Sequence, residues 1–229
     1  LNYLKIVYLY CQKKQILKNQ NVWGFAQIIL KIIMIDTIIF DLDGVLIDSK
    51  KIHFLSLNKS LKENKINYQI SFEKHLKEFD GLPTKKKLEI LNKQKIIPKS
   101  SFKVIAEKKN QITRKLLNKN IKFNVKIFKL FKILSKKFKI GIATNAIEET
   151  LEIAINKLKI KKFIKFSIST KSIENPKPHP EIYLRCIINL NSKPKNTLIL
   201  EDSHNGRIAA KEAGAKLMPI KNLDDVNYN

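Results

Sequence analysis

The stretch IIFDLDGVLIDS, Ile38 to Ser49, carries an apolar run straight into two aspartates one residue apart, then a glycine, then more apolar residues. A surface loop has no use for that run. An ordinary buried strand does not end in two carboxylates, because an unpaired buried charge is costly. Asp36 to Phe40 reads as a short buried strand, bounded by the DLDG turn. Strands send alternate side chains to opposite faces, so Asp41 and Asp43 share a direction wherever the backbone stays extended. A calcium loop also begins with spaced aspartates, but it wants glycine at position six and glutamate at position twelve. Here Gly44 stands at the fourth position and Ile52 at the twelfth, so that reading fails.

Beyond Ser49 the period changes. Ile52, Leu55, Leu57 and Leu61 recur at helical spacing, with Asp48 or Ser49 available as N-cap. Further helices are predicted at Ser71–Phe79, Thr84–Lys95 and Ser101–Lys119, separated by the turn signals DGLP and PKSS. No strand pattern interrupts this block, which reads as an all-helical insert.

After residue 120 helices and strands alternate. Helices are predicted at Val125–Lys137, Glu148–Leu158, His179–Leu190 and Asn205–Ala213, the last closed by Gly214. Strands are predicted at Lys139–Asn145, Phe163–Ile168, Thr197–Ser203 and Lys216–Ile220. This alternation predicts an α/β fold, a Rossmann-like, doubly wound parallel sheet with right-handed crossovers. The expected organisation is an N-terminal extension, 1–33; a discontinuous core, 34–48 and 120–229; and a helical insert, 49–119.

In such a sheet, ligands bind outside the carboxyl ends of the strands. Three predicted strands end there in polar groups: Asp41 and Asp43, Thr144 and Asn145, Glu201 and Asp202. Lys177 lies in the loop NPKPHPEIY between two of them. Together these are parts for phosphoryl transfer through an aspartyl phosphate. A carboxylate attacking phosphorus faces negative oxygens, and a divalent ion such as magnesium offsets that repulsion with oxygen ligands. Gly44 permits a tight turn and close backbone approach to phosphate. Thr144 and Asn145 can hydrogen-bond the transferring group, and the Lys177 ammonium can neutralise it and hold the nucleophile ionised.

The segments DLDGVLIDS, ATN, KPHPEIY and EDSHNGRIAAKEAG, in that order and spacing, resemble the motifs of the haloacid dehalogenase-like hydrolases. The similarity is to the subgroup of phosphoglycolate phosphatases and β-phosphoglucomutases with a helical cap, and it covers about Met34 to Ile220. The resemblance implies Asp41 as nucleophile and Asp43 as acid/base, its backbone carbonyl also offered to Mg2+. It further implies Thr144 and Lys177 on the phosphoryl group with Asn145 nearby, and Asp202 and Glu201 completing the metal site. The insert would be the cap that closes over substrate. On it, His53 matches a histidine of the mutases, and FDGLPTKKKLEIL occupies the place of the specificity loop, with Gly81 and Lys85 as candidate substrate contacts. No arginine follows Gly81, which weighs against a mutase. The implied activity is a magnesium-dependent phosphatase acting on phosphoglycolate or a sugar phosphate, with a sugar-phosphate mutase as the alternative.

The formal charge of +25 raises a third possibility, a nucleic-acid module. Yet only Arg114, Arg185 and Arg207 are arginines, and phosphate or base recognition exploits the guanidinium fork. Lysine, isoleucine and asparagine together mark A/T-rich coding, and no stacking platform is evident. Trp23, Phe123, Phe128, Phe131 and Phe138 read as packing residues, and His75, His179 and His204 as exposed ones. A small-molecule phosphate ester is therefore the expected partner, with neither nucleic acid nor membrane and a monomer favoured. Cys11 and Cys186 match no metal or disulfide spacing, which suits a cytoplasmic chain. Leu1 to Ile33 holds five lysines and no acid, with neither a signal cleavage pattern nor a span-length apolar run. Met34 is expected to lie near the start of the domain.

Overall fold

A computed structural model of the chain describes residues 35–221. The expectations for the extension, Cys11, Trp23 and the end of the chain lie outside the described residues.

The first strand, β1 (Thr37–Phe40), is buried along its whole length. It pairs in parallel with β2 (Lys139–Ala143) on one side and β4 (Thr197–Glu201) on the other, Thr37 standing opposite both Lys139 and Thr197. β3 (Phe166–Ile168) lies beyond β2, and β5 (Lys216–Pro219) beyond β4. The order β3-β2-β1-β4-β5 is a five-stranded, wholly parallel sheet. A central strand covered on both faces needs a continuous apolar run, and TIIF supplies it.

Alternation along β1 then divides the core. Ile38 and Phe40 join α5 (Val125–Leu134) and α6 (Glu148–Leu158) on one face, with the Phe40 and Phe131 rings 4.8 Å apart. Ile39 joins α7 (Glu181–Asn189) and α8 (His204–Glu212) on the other. Helices on both faces make the fold doubly wound, and the strand order reverses at β1, placing the ligand crevice at its carboxyl end.

The residues after β1 form α1 (Lys50–Glu63), a short α2 (Phe72–Lys74) running into a π-helical turn at His75–Phe79, α3 (Thr84–Lys93) and α4 (Phe102–Asn120). They enclose an apolar cluster of their own, including Leu57, Leu61, Phe79, Leu88 and Ile105. α1 packs along α4, and α4 also reaches α6. No strand occurs in this block among the described residues.

Several details depart from expectation. Ser49 stands at the N-cap of α1 without capping it; its hydroxyl donates to Asp43 instead. Leu55 is exposed, so the buried stripe of α1 runs through Ile52, Ser56, Leu57, Ser60 and Leu61. β3 starts at Phe166 rather than Phe163, because Phe163 sits in a 3-10 turn with its ring 5.4 Å from that of Phe128. His75, expected on the surface, is buried between the rings of Phe54 and Phe79. The apolar demand of that pocket overrides its polar sequence neighbours.

Candidate active site

The last ladder bond of β1, from Asp41 N to the carbonyl of Leu200 at 3.0 Å, delivers Asp41 to the carboxyl edge of the sheet. The chain then folds back sharply: Leu46 N and Ile47 N both donate to the carbonyl of Leu42, and Gly44 N donates to that of Ile47. Gly44 takes φ +85°, and a Cβ there would stand 2.1 Å from Oδ2 of Asp202. Glycine is thus required twice over, for the backbone and for the carboxylate pressed against it.

Lys177 lies at the centre. Its Nζ donates to Oδ1 of Asp41 at 2.5 Å, to Oε2 of Glu201 at 2.8 Å and to the carbonyl of Ala143 at 3.0 Å. Asn145 holds the lysine loop: its Oδ1 accepts from Lys177 N at 3.1 Å, while Nδ2 donates to the carbonyls of Lys177 and, across the cleft, Gly81. The neighbouring Thr144 is buried, and its Oγ1 accepts from Ala146 N at 3.0 Å, leaving its own proton to donate.

Behind Lys177, Glu201 is fully occupied. Oε2 also accepts from the Tyr183 phenol at 2.5 Å, and Oε1 accepts from Ser203 N and Oγ at 2.9 and 3.0 Å. Burial alone would raise its pKa, but Lys177, Tyr183 and Ser203 together hold it low. Asp202 is less provided for. Its Oδ2 meets Lys50 Nζ at 2.8 Å, whereas Oδ1 is buried with no hydrogen-bond partner among the described residues. Burial pushes its pKa up to about 6 in spite of Lys50.

One oxygen each from Asp41, Glu201 and Asp202 lies within 4.8 Å of the other two. With protein groups alone this cluster is short of positive charge. Burial and Glu201 raise Asp41 well above the usual carboxylate range even with Lys177 in contact to lower it. An all-oxygen donor set, an orphaned carboxylate oxygen and unbalanced negative charge fit a hard divalent cation such as magnesium. Asp43 is not part of the cluster. Its carboxylate turns to the Ser49 hydroxyl and to His53 Nε2 at 3.2 Å, and these with Lys109 overcome burial and draw its pKa down to about 2. His53 is lowered by burial, and its Nδ1 lies 3.4 Å from Lys109 Nζ. Neutral at pH 7, it therefore donates Nε2–H to Asp43.

One cleft brings Asp41, Asp43, Thr144, Asn145, Lys177 and Asp202 on the sheet edge opposite His53, Gly81 and Lys85 on the helical block. Gly44 and Glu201 support it from beneath. Sequence reading missed the parts played by Tyr183, Ser49 and Ser203, which fix the carboxylates, and the buried Lys109 in the roof; Lys87, one of the three lysines that follow the Gly81 loop, is buried there beside it. His179 and His204 are exposed, as expected.

The haloacid dehalogenase-like hydrolase family model matches residues 38–220. A Thermotoga maritima protein named Phosphorylated carbohydrates phosphatase is 28% identical over 184 residues, 78% of this chain and 82% of its own. Pyrophosphatase PpaX of Anoxybacillus flavithermus is 29% identical over 183 residues, 80% of this chain and 81% of its own. Among solved structures, β-phosphoglucomutase from Clostridium difficile superposes with a TM-score of 0.71 at 26% identity, covering 84% of this chain and 87% of that one. CbbY from Rhodobacter sphaeroides, at 22% identity and a TM-score of 0.73 over 81% of this chain and 87% of its own, shares the fold.

Proposed function

The chain belongs to the haloacid dehalogenase-like hydrolase family, and from that premise we propose that it is a magnesium-dependent phosphatase of small phosphorylated metabolites, phosphoglycolate or a sugar phosphate. The observation that carries the proposal is the contact of Lys177 with Asp41, beside the buried carboxylate cluster at the tips of β1 and β4.

In this reading Asp41 attacks phosphorus and forms an aspartyl phosphate, breaking the bond to the ester oxygen. A substrate phosphate arriving as its monoanion brings the proton. Asp43, ionised in the free enzyme and gripped by Ser49 and His53, takes it up and passes it to the departing oxygen. It then takes the proton of the water that hydrolyses the intermediate. Thr144 donates its hydroxyl to the transferring group, Lys177 offsets its charge, and the turn at Gly44 lets backbone approach it. Asn145 is best read as positioning Lys177, since its amide is committed to backbone. Asp41, Asp202 and the Asp43 carbonyl would hold magnesium, with Glu201 supporting them from behind. When bound, the ion would offset the repulsion between these carboxylates and the phosphate oxygens. Residues 49–119 would act as the cap that excludes water. No helix among the described residues is long and apolar enough to cross a membrane, and among them the buried Cys186 has no disulfide partner. The proposed location is the cytoplasm.

The test is phosphate release with magnesium from phosphoglycolate and a panel of sugar phosphates, by wild type and Asp41→Asn. Release by wild type and a loss of at least ~1,000-fold in Asp41→Asn are expected. Conversion of glucose 1-phosphate to glucose 6-phosphate without net release would replace this reading by a mutase.

A further inference from the structure

Two lysines serve the three carboxylates of the buried cluster, and they are held differently. The side chain of Lys177 is 3% exposed, and its Nζ is tied three ways, to Asp41, Glu201 and the carbonyl of Ala143. Lys50 meets Asp202 at 2.8 Å, yet its side chain is 33% exposed and it keeps a second partner, Asp80, at 3.2 Å. Local structure gives no reason for an ammonium there. Lys50 is the first residue of α1, whose first turn holds no acid, and the positive end of a helix repels a cation. Its charge is fixed by tertiary partners instead, one on each side of a joint. Asp202 follows the last residue of β4, on the sheet. Asp80 precedes Gly81 in the loop by which the helical block packs against Ser203. Lys50 stands between them, where the chain passes from the sheet into the helical block.

We infer that Lys50 is a positioning residue whose ammonium competes with the divalent cation for Asp202, so that metal binding and the grip of the Asp80–Gly81 loop on the sheet are linked. This rests on the metal-dependent phosphatase reading and deepens it. Two cations on one carboxylate repel each other. Lys177, buried and committed three ways, does not yield. Lys50 does, because Asp80 and water both stand ready to receive it. Once Asp202 turns to the ion, Lys50 retains Asp80, and the bridge from loop to sheet through the lysine is cut. The loop then depends on Asn145, whose Nδ2 donates to the Gly81 carbonyl at 3.0 Å. Metal loading thus loosens the edge of the cleft before substrate enters.

Calorimetric titration with magnesium, in the absence of substrate, tests the competition. Lys50→Met should bind the ion about tenfold more tightly than wild type. Asp80→Asn removes the lysine's second partner, so alone it should weaken magnesium binding about threefold, whereas added to Lys50→Met it should change nothing. Equal or weaker binding by Lys50→Met, or the same effect of Asp80→Asn in both backgrounds, overturns the inference. Hydrogen exchange at residues 79–84 reads the link to the loop. Magnesium should speed it about threefold or more in wild type and leave it unaltered in Lys50→Met. Exchange that ignores magnesium in wild type, or responds alike in both proteins, overturns the link. Should Lys50→Met fail to fold, Lys50→Gln is judged by the same criteria. Phosphate release from the ester panel separates the two readings. Release with a magnesium affinity unmoved by Lys50→Met overturns the competition and leaves the phosphatase standing. Tighter magnesium binding by Lys50→Met with no release from any ester upholds the competition and overturns the phosphatase.

Discussion

The phenol of Tyr183 donates to Oε2 of Glu201 at 2.5 Å, and the same oxygen accepts the Lys177 ammonium at 2.8 Å. Burial and the nearby carboxylates raise the Tyr183 pKa, so the phenol stays a donor across the working range. Tyr183→Phe removes one donor from a buried carboxylate. Urea denaturation should show a loss of about 1–3 kcal/mol. Glu201 then holds Lys177 more strongly, away from Asp41, and kcat for phosphate release should fall about tenfold with KM little changed.

On the proposed magnesium site, Asp202 sets a defined pH dependence. Its folded pKa, about 6, is raised above the unfolded value near 3.8, so the folded state takes up a proton there more readily than the unfolded one. Asp202 therefore supports folding most below pH 4, and this contribution is lost as pH rises through 6. A divalent cation must displace that proton. Calorimetry should show magnesium affinity increasing between pH 5 and 7, with proton release on binding greatest near the lower end.

The two roof lysines act with the opposite sign. Lys87 at about 8 and Lys109 at about 7 lie below the ordinary 10.5, so between those values the unfolded chain binds more protons. Stability should rise with pH from 7 to 10. In Lys87→Met that slope should flatten, and the variant should be more stable than wild type at pH 7 by about 1–3 kcal/mol. Denaturant titrations across the range would show both.

His75 is held at about 3 by burial and the neighbouring cations, and neither ring nitrogen has a partner among the described residues. His75→Phe, flanked by Phe54 and Phe79, should stabilise the helical block by about 1 kcal/mol. A thermal melt lower than that of wild type would show that the ring has an unrecognised polar partner.

What could be read from the chain, and what could not, follows the range of the forces involved. β1 was legible because a strand buried on both faces must be apolar throughout, and the acids beyond it were legible as a breach of that rule. Asp41, Lys177 and Asp202 stand where the motif order puts them, at one mouth. Lys87 was not legible as buried. In TKKKLEILNK it resembles one more solvated lysine, and only the placement of α3 over the sheet edge removes it from water. Tyr183 reads locally as one apolar position on an amphipathic helix, and its hydroxyl acquires meaning only when β4 brings Glu201 beneath it. Ser49 satisfied the local rule for an N-cap, but its hydroxyl turns to donate to a carboxylate six residues earlier rather than accept from the helix amides.

The central place of β1 in the sheet also governs how the chain is made. Asp41 and Lys177 are 136 residues apart, which at translation speeds of about 5–20 residues per second means roughly 7–27 s between their syntheses. Through that interval TIIF emerges with one or both flanks still lacking a partner strand. A sticky segment left waiting on the ribosome is a natural client for a chaperone, and the nascent chain stays catalytically silent until β4 and Asp202 have emerged.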